Sequence, residues 1–371
     1  MAETVPAAVM RGAGALEIED FPMPSVDADA GLLRVEATGL VGADYELYND
    51  YDNVLGPAYG FTFPFIPGHV VTGRIEKLGA IARERWQMNE GDRVLLQYNV
   101  LCNYCAHCIV GELHACENLK GYGLWNDYTS PPYLWGGAAE FMMLHPNTKM
   151  VRIPEGPDAA SVLLLERLAD QSRWLLELGQ LNAEHAVVIM GTGALAQAAV
   201  TVAKMTGAAP VIAVARSSSG RIEQMRNLGA DYVFTGSRDE VSSAVAEVTK
   251  GKMASLVVDL TSRDALDATE VAMGALGFRG RLVQVAFKVP GPMQGIDTAD
   301  LLNKEISIIG AHGHELQHLQ WAATCLDRPE CATYLASKVV RYELKDTKAA
   351  LDRPLTLDGA TMAVIYPHGM P

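Results

Sequence analysis

Four cysteines lie close together in the stretch LCNYCAHCIVGELHAC, residues 101–116. Four thiolates at this spacing can surround one tetrahedral ion, and they leave no coordination position for water or substrate, which is typical of a structural zinc. Cysteines separated by two residues on a tight loop are poorly placed to form disulfides with one another. The sequence therefore predicts one structural Zn²⁺, bound by Cys102, Cys105, Cys108 and Cys116.

A second chemical signal is the glycine-rich stretch VVIMGTGALAQAAV, residues 187–200. Gly191, Gly193 and Ala196 follow an apolar strand pattern and precede a helical one. The first glycine permits a tight turn, the second lets a pyrophosphate approach the backbone, and the third small residue lets helix and strand pack closely. The pattern predicts a site for a nicotinamide dinucleotide.

The end of the next predicted strand bears on which dinucleotide binds. A site for NAD usually has an acidic residue there, which bonds the ribose 2′-hydroxyl, but this chain has Ala215. Arg216, Ser217 and Arg221 follow, and guanidinium and hydroxyl groups suit a 2′-phosphate. The sequence favours NADP(H) over NAD(H), and an enzyme that accepts either remains the alternative.

Two kinds of element order position these residues. Residues 1–155 contain short β-like runs separated by turn residues, as in an all-β region. From residue 160 onward, helical stretches alternate with apolar strands such as SLVVDL (255–260) and ISIIG (306–310). That alternation predicts a parallel sheet with helices on both faces, and the fold class is α/β.

Composition restricts the class of partner. The 371 residues are 49% hydrophobic and carry a net charge of −14. The negative charge argues against nucleic acid and against an anionic membrane surface. No apolar run approaches the roughly 20 residues of a membrane-spanning helix, and the N-terminal residues do not resemble a secretory signal. We therefore expect a cytoplasmic protein that acts on a small-molecule substrate.

Together these segments resemble the medium-chain dehydrogenase/reductase family, the zinc-type alcohol dehydrogenases and their relatives. Besides the cysteine lobe, the resemblance rests on five stretches: TGLVGADY (38–45), PFIPGHVVTGRIEKLG (64–79), GDRVLL (91–96), LERLA (165–169) and GTGALA (191–196). It implies a GroES-like, β-rich catalytic domain over 1–160, a Rossmann domain with a doubly wound parallel sheet over 161–310, and a return segment over 311–371. It also implies a homodimer or homotetramer, paired through ISIIG.

The resemblance further implies where a catalytic zinc would lie, and here the sequence departs from the family pattern. The family's cysteine ligand corresponds to Val41, its histidine to His69 and its acidic ligand to Glu166. The residues after the histidine and the acid are Val70 and Arg167. Valine binds no metal, and two ligands are usually too few for a catalytic zinc. We expect the catalytic zinc to be absent, with Arg167 neutralising Glu166.

Without a Lewis acid, hydride transfer needs an acceptor that is already activated, such as the C=C bond of an enone or enal. Candidate catalytic residues are His69, Asp44, Tyr45 and Tyr48, beside Glu166. Two alternatives stay open. One is an alcohol dehydrogenase or ketone reductase with zinc on His69, Glu166 and Asp44. The other is a catalytically inactive dinucleotide-binding sensor.

Overall fold

The chain divides into two compact units, Met1–Leu164 with Lys338–Pro371, and Leu165–Ser337. A computed structural model describes residues 4–50, 61–124, 130–216, 221–262, 265–285, 293–353 and 359–371. The strands in these ranges are β1 Thr4–Gly12, β2 Ala15–Pro22, β3 Gly31–Leu40, β4 Val70–Leu78, β5 Arg93–Leu96, β6 Asn99–Val100, β7 Lys120–Gly121, β8 Phe141–Leu144, β9 Met150–Arg152, β10 Val187–Met190, β11 Val211–Val214, β12 Tyr232–Phe234, β13 Ala254–Asp259, β14 Leu276–Gln284, β15 Ser307–Gly310, β16 Val339–Glu343 and β17 Met362–Tyr366.

The α-helices in the same ranges are α1 Gly42–Asp50, α2 Ala80–Trp86, α3 Ala106–Val110, α4 Ala159–Gln171, α5 Ala194–Met205, α6 Arg221–Asn227, α7 Arg238–Val248, α8 Ala268–Ala275, α9 Thr298–Asn303, α10 Leu316–Ala323, α11 Pro329–Leu335 and α12 Thr347–Asp352. A π-helix, Ser172–Leu178, continues α4, and 3₁₀-helices occupy Leu113–Ala115 and Leu344–Asp346. Among the described residues, no helix combines the length and apolar character needed to cross a membrane.

The first unit is built on a seven-stranded sheet with the order β16-β17-β3-β4-β5-β9, in which β8 also pairs with β3. Strand β3 pairs antiparallel with β4, β8 and β17. Most of its side chains are buried, because neighbours cover this strand along much of its length. Val41 and α1 follow it directly. The first candidate catalytic residues therefore come just after a strand that pairs with three others.

The second unit is a six-stranded parallel sheet with the order β12-β11-β10-β13-β14-β15. Strands β10 and β11 read VVIM and VIAV and are buried at every position, as expected for central strands covered on both faces. One apolar cluster packs α5 and the π-helix on the sheet, and a second contains residues of α7 and α8. The predicted α/β alternation and parallel sheet are confirmed.

The boundaries of the second unit differ from the predicted ones. We predicted a Rossmann domain over 161–310 and a return segment from 311, whereas the second unit runs over Leu165–Ser337. Helix α10 contacts the π-helix, and α11 contacts α5, with Cys331 Sγ 3.1 Å from Met205 Sδ. Residues 311–337 therefore complete the sheet-containing unit, and the chain returns to the first unit at Lys338.

Close approach of β3 and β4 generates a stability prediction. A Cβ atom at Gly73, on β4, would lie 2.3 Å from the main-chain oxygen of Arg34 on β3. We expect Gly73→Ala to lower the free energy of unfolding by about 2–3 kcal/mol, because the paired strands must separate. The measurement is urea unfolding. Gly12→Ala is the matched control, since no atom lies within 4 Å of its Cβ; equal losses in the two variants would contradict the prediction.

Candidate functional site

The four clustered cysteines converge in the structure. Cys102 follows β6, Cys105 precedes α3, Cys108 lies on α3, and Cys116 follows the 3₁₀-helix Leu113–Ala115. All four sulfurs lie within 4.8 Å of one another. Two measured separations from Cys102 Sγ are 3.8 Å to Cys108 Sγ and 3.6 Å to Cys116 Sγ. A tetrahedral zinc with Zn–S bonds of about 2.3 Å requires S–S edges of about 3.8 Å. The thiols therefore fit a zinc ion, and none of them is in a disulfide.

Main-chain N–H groups of the lobe stabilise the thiolate form of Cys102. Burial raises the pKa of Cys102, but N–H groups of Tyr104 and Cys105 donate to its sulfur and lower the pKa to about 6. Burial and contacts with neighbouring sulfurs raise the pKa of Cys108 to about 12. The main-chain N–H of Cys102 in turn lies 3.5 Å from Cys116 Sγ. A bound zinc would take all four as thiolates and leave no open position for a reaction.

The turn predicted to bind the dinucleotide lies between β10 and α5. Gly191 has φ of 108°, its N–H donates to the Val214 carbonyl at 2.8 Å, and an added Cβ would lie 2.9 Å from the Leu260 oxygen. Gly193 is the N-cap of α5, where an added Cβ would have no atom within 4 Å, and Ala196 is buried. The open space at Gly193 lies at a helix N-terminus, where the unpaired N–H groups favour a phosphate.

The residues that bear on NADP lie just beyond β11. Ala215 is buried and donates its N–H to the Phe234 carbonyl at 2.8 Å, which ties this end of β11 to β12. Arg216 follows and is exposed, and Arg221 begins α6. Ser217 lies outside the described residues. The structure thus puts Arg216 just past the carboxyl end of β11 and Arg221 at the start of α6, and no acidic residue stands at 215 or 216.

In the first unit, Asp44 holds together the chain around the candidate catalytic histidine. Its carboxylate, fully buried, accepts the N–H of Val41 at 2.8 Å and the N–H of Gly68 at 3.3 Å. It therefore ties the start of α1 to the residue before His69. A carboxylate with two main-chain donors is satisfied where it lies.

His69 itself is enclosed. Its side chain is 7% exposed, its Nδ1 lies 3.8 Å from Asp44 Oδ2, and its ring meets that of Tyr98 edge-on at 5.3 Å. The 3.8 Å separation is too long for a hydrogen bond, and Nδ1 forms none within the described residues. Val41 and Val70 are both buried and apolar, with exposures of 5% and 1%.

Tyr45 and Tyr48 use their hydroxyls as structural braces. The Tyr45 hydroxyl donates to the Ala350 carbonyl at 3.0 Å, and burial, followed by the charge of Asp44, raises its pKa. The Tyr48 hydroxyl lies 3.0 Å from the Gly14 carbonyl and 2.9 Å from Asp352 Oδ1. Both hydroxyls thus connect α1 to other parts of the first unit and are engaged there.

Glu166 lies on α4 in the second unit, inside a buried charged cluster. Arg167 Nε is 3.4 Å from Glu166 Oε2, and Arg167 Nη1 is 3.0 Å from Asp170 Oδ2. The predicted ion pair between Arg167 and Glu166 is confirmed. His314 Nδ1 lies 2.9 Å from Asp170 Oδ1 and 3.9 Å from Glu166 Oε1. Burial raises the pKa of Asp170, but His314 and Arg167 outweigh it and hold the pKa below its ordinary value.

Sequence reasoning missed two members of this cluster. Asp170 could have been found, because Glu166 and Asp170 are four residues apart on a predicted helix and share one face. His314 could not, since it lies 144 positions from Asp170.

Comparison with known proteins places these sites in a family. The sequence profile of the alcohol dehydrogenase GroES-like domain matches residues 27–155, and that of the zinc-binding dehydrogenases matches residues 194–328. The chain belongs to the medium-chain dehydrogenase/reductase family. The fold is accordingly a GroES-like domain plus a Rossmann domain, and the protein is an oxidoreductase of the nicotinamide-dependent, alcohol dehydrogenase-like type.

Among curated relatives, the probable alcohol dehydrogenase of Mycobacterium tuberculosis is 29% identical over 317 residues, which are 83% of each chain. The 5-exo-hydroxycamphor dehydrogenase of Pseudomonas putida is 29% identical over 93% of this chain and 94% of its own.

Solved structures show the same fold. An alcohol dehydrogenase of Thermotoga maritima matches with a TM-score of 0.86 at 22% identity, over 99% of this chain and 100% of the other. A dehydrogenase of Sinorhizobium meliloti, provisionally assigned as zinc-binding and bound to NADP, matches with a TM-score of 0.82 at 21% identity, over 98% and 100%.

The cysteine lobe predicts a defined metal content. Cys116→Ser should lower bound zinc from about one ion per chain to near zero and lower the midpoint of thermal unfolding, because three thiolates cannot close the coordination sphere. Mass spectrometry of the metals and differential scanning fluorimetry measure both. Cys325→Ser, another buried cysteine outside the lobe, should keep its zinc. Retention of zinc by Cys116→Ser would show that the lobe is not the site.

The glycine turn predicts separable effects on folding and binding. An alanine at Gly193 meets no atom within 4 Å, so Gly193→Ala should fold like the wild type. Its methyl group would occupy space that the pyrophosphate needs, and we expect affinity for NADPH to fall at least tenfold. Fluorescence titration measures the affinity and thermal unfolding of the unliganded protein checks the fold. Unchanged affinity would place the phosphates elsewhere.

Proposed function

We propose that this protein is an NADPH-dependent reductase of an activated C=C bond, of the enone or enal type, which works without a catalytic zinc. The observation that carries the proposal is that residue 41 is aliphatic while the carboxylate of Asp44 is already hydrogen-bonded to the main chain. The side chain of Val41 has no atom that can bind a metal. The Asp44 carboxylate already accepts hydrogen bonds from the main-chain N–H groups of Val41 and Gly68. Two buried valines near His69 also disfavour an uncompensated dication.

The acidic residue that the family uses as a ligand is likewise engaged. Glu166 faces the guanidinium of Arg167 at 3.4 Å, and a cation already fills the electrostatic role that a metal would have. A zinc on His69, Asp44 and Glu166 would have to displace these partners. The donor set therefore does not fit a catalytic zinc, and the mechanism proceeds without one.

His69 is the group that we assign to proton transfer. When bound, the reduced dinucleotide supplies a hydride to the β carbon of the substrate. The resulting enolate takes a proton from the imidazolium form of His69, which is left as neutral imidazole; the ring's position follows from the Asp44–Gly68 hydrogen bond and the edge-on contact with Tyr98. Nδ1 faces the Asp44 carboxylate at 3.8 Å, too far for a hydrogen bond, and we assign the transferred proton to Nε2. Tyr45 and Tyr48, with hydroxyls engaged in the first unit, serve to hold α1.

The preference for NADPH rests on Arg216 and Arg221 and on the alanine at 215. A 2′-phosphate would gain two cations there, and a ribose hydroxyl would find no carboxylate at 215. We further propose one zinc per chain, on the cysteine lobe, a cytoplasmic homodimer or homotetramer paired through β15, and a substrate that is a small molecule.

Metal content and acceptor range test the proposal together. Wild-type protein should hold about one zinc per chain and should oxidise NADPH with enones and enals but not with simple ketones. His69→Gln should lower kcat about 10²–10⁴-fold with little change in the dissociation constant of NADPH, since general acid catalysis contributes rate rather than cofactor binding. Absorbance at the reduced nicotinamide band measures kcat, and fluorescence titration measures the dissociation constant of NADPH. His145→Gln, in the same unit but outside the site, is the control.

Two results would contradict the proposal. About two zinc ions per chain, with turnover of alcohols or ketones, would favour the zinc-dependent dehydrogenase. Tight NADPH binding without turnover of any acceptor would favour the sensor.

A further inference from the structure

The segment 311–315 follows β15, at the carboxyl edge of the parallel sheet. The glycine turn follows β10, and the strand order runs from β10 to β12 on one side and through β13, β14 and β15 on the other. In a doubly wound sheet the dinucleotide lies across the carboxyl ends of the strands, with one mononucleotide on each half. Arg216 and Arg221 follow β11, on the half expected to bind the adenosine nucleotide. The other half, β13 to β15, therefore receives the nicotinamide nucleotide.

The main chain of this segment is held at successive residues. The N–H of Ala311 donates to the Gln284 carbonyl, at the end of β14, at 3.0 Å. Arg173 donates to the carbonyl of His312, and Trp174 Nε1 donates to that of Gly313 at 3.0 Å. Both donors lie on the π-helix, and π-helical turns are frequent at functional sites.

The side chain of His314 provides the deepest anchor. It is fully buried, and its Nδ1 lies 2.9 Å from Asp170 Oδ1. Asp170 is bound by Arg167 at 3.0 Å, and Arg167 also contacts Glu166. Removing one partner of such a buried network leaves another charge uncompensated, so the network has one preferred arrangement. The position of residue 314 is thereby fixed from α4.

The arginine beside this cluster disfavours a metal there. Glu166, Asp170 and His314 offer ligand atoms within 4.8 Å of one another. A dication among them would, however, lie beside a guanidinium that already contacts both carboxylates. Like charges at that distance repel in a buried site. The charged groups therefore act on the loop rather than on an ion.

We propose that His314 is a positioning residue for the nicotinamide half of the dinucleotide: anchored by Asp170 and, through it, by Arg167, it fixes the main chain of residues 312–314 against that half. This inference rests on the nicotinamide cofactor of the proposed function and not on its substrate or its zinc content. The other half of the dinucleotide, held at the glycine turn, does not depend on His314.

The test compares two ligands that differ only in the nicotinamide nucleoside end. Dissociation constants of NADPH and of 2′-phospho-ADP-ribose, which lacks nicotinamide, are measured by calorimetry for wild type and His314→Asn. If wild type binds NADH more tightly, NADH and ADP-ribose replace them. We expect His314→Asn to weaken NADPH about tenfold, which is about 1.4 kcal/mol, and to change 2′-phospho-ADP-ribose less than twofold.

His185→Asn is the matched control. His185 lies in the same unit just before β10, at the opposite edge of the sheet, where Nε2 lies 3.4 Å from Asn182 Nδ2. This variant should bind both ligands like the wild type. If His314→Asn unfolds, Asp170→Asn removes the charge at nearly constant size and should show the same selective loss.

Equal weakening of the two ligands, or no weakening of either, in whichever variant folds would overturn the proposal. Enone turnover does not enter these measurements. The selective loss of NADPH affinity can therefore be absent although the protein reduces enones. It can equally be present although the protein reduces none.

Discussion

The buried carboxylate of Asp44 is the constraint on which the chain around His69, the candidate catalytic residue, depends. It joins the N–H of Val41, at the end of β3, to the N–H of Gly68, beside His69. A buried carboxylate that lost these donors would be costly, so the two segments remain together. The hydrogen bonds that hold the chain beside His69 also occupy the Asp44 oxygen atoms that a metal would need. The carboxylate therefore cannot both hold this chain and bind a metal without losing one of these bonds.

The two units contrast in how they handle the family's metal positions. The cysteine lobe has four thiols at separations that suit a tetrahedral ion, and a metal bound there would stabilise the fold. At the position of the acidic ligand, Glu166 has a guanidinium partner and belongs to a charged cluster with Asp170 and His314. The guanidinium of Arg167, a covalently attached cation, is thus the partner of both Glu166 and Asp170.

Some of this could be predicted because the signal is local. The cysteine spacing and the turn at Gly191 depend on residues within one loop, where chain geometry limits the separation of the side chains. The alternation of strands and helices likewise follows from short-range periodicity. The predicted domain boundary at 310 differs from the structure because helices such as α11 carry no local mark of the unit against which they pack.

The sequence by itself determined the family, and it predicted the cysteine ligand set, the dinucleotide turn and, at Val41, a side chain that cannot bind a metal, since each is a matter of residue type at a fixed spacing. Only the tertiary structure decided that Tyr45 and Tyr48 are braces and that His314 joins Asp170. Their hydroxyls meet residues more than 300 positions away, and the His314 pair spans 144. Contacts at such separations depend on how the whole unit packs, and no local pattern encodes them.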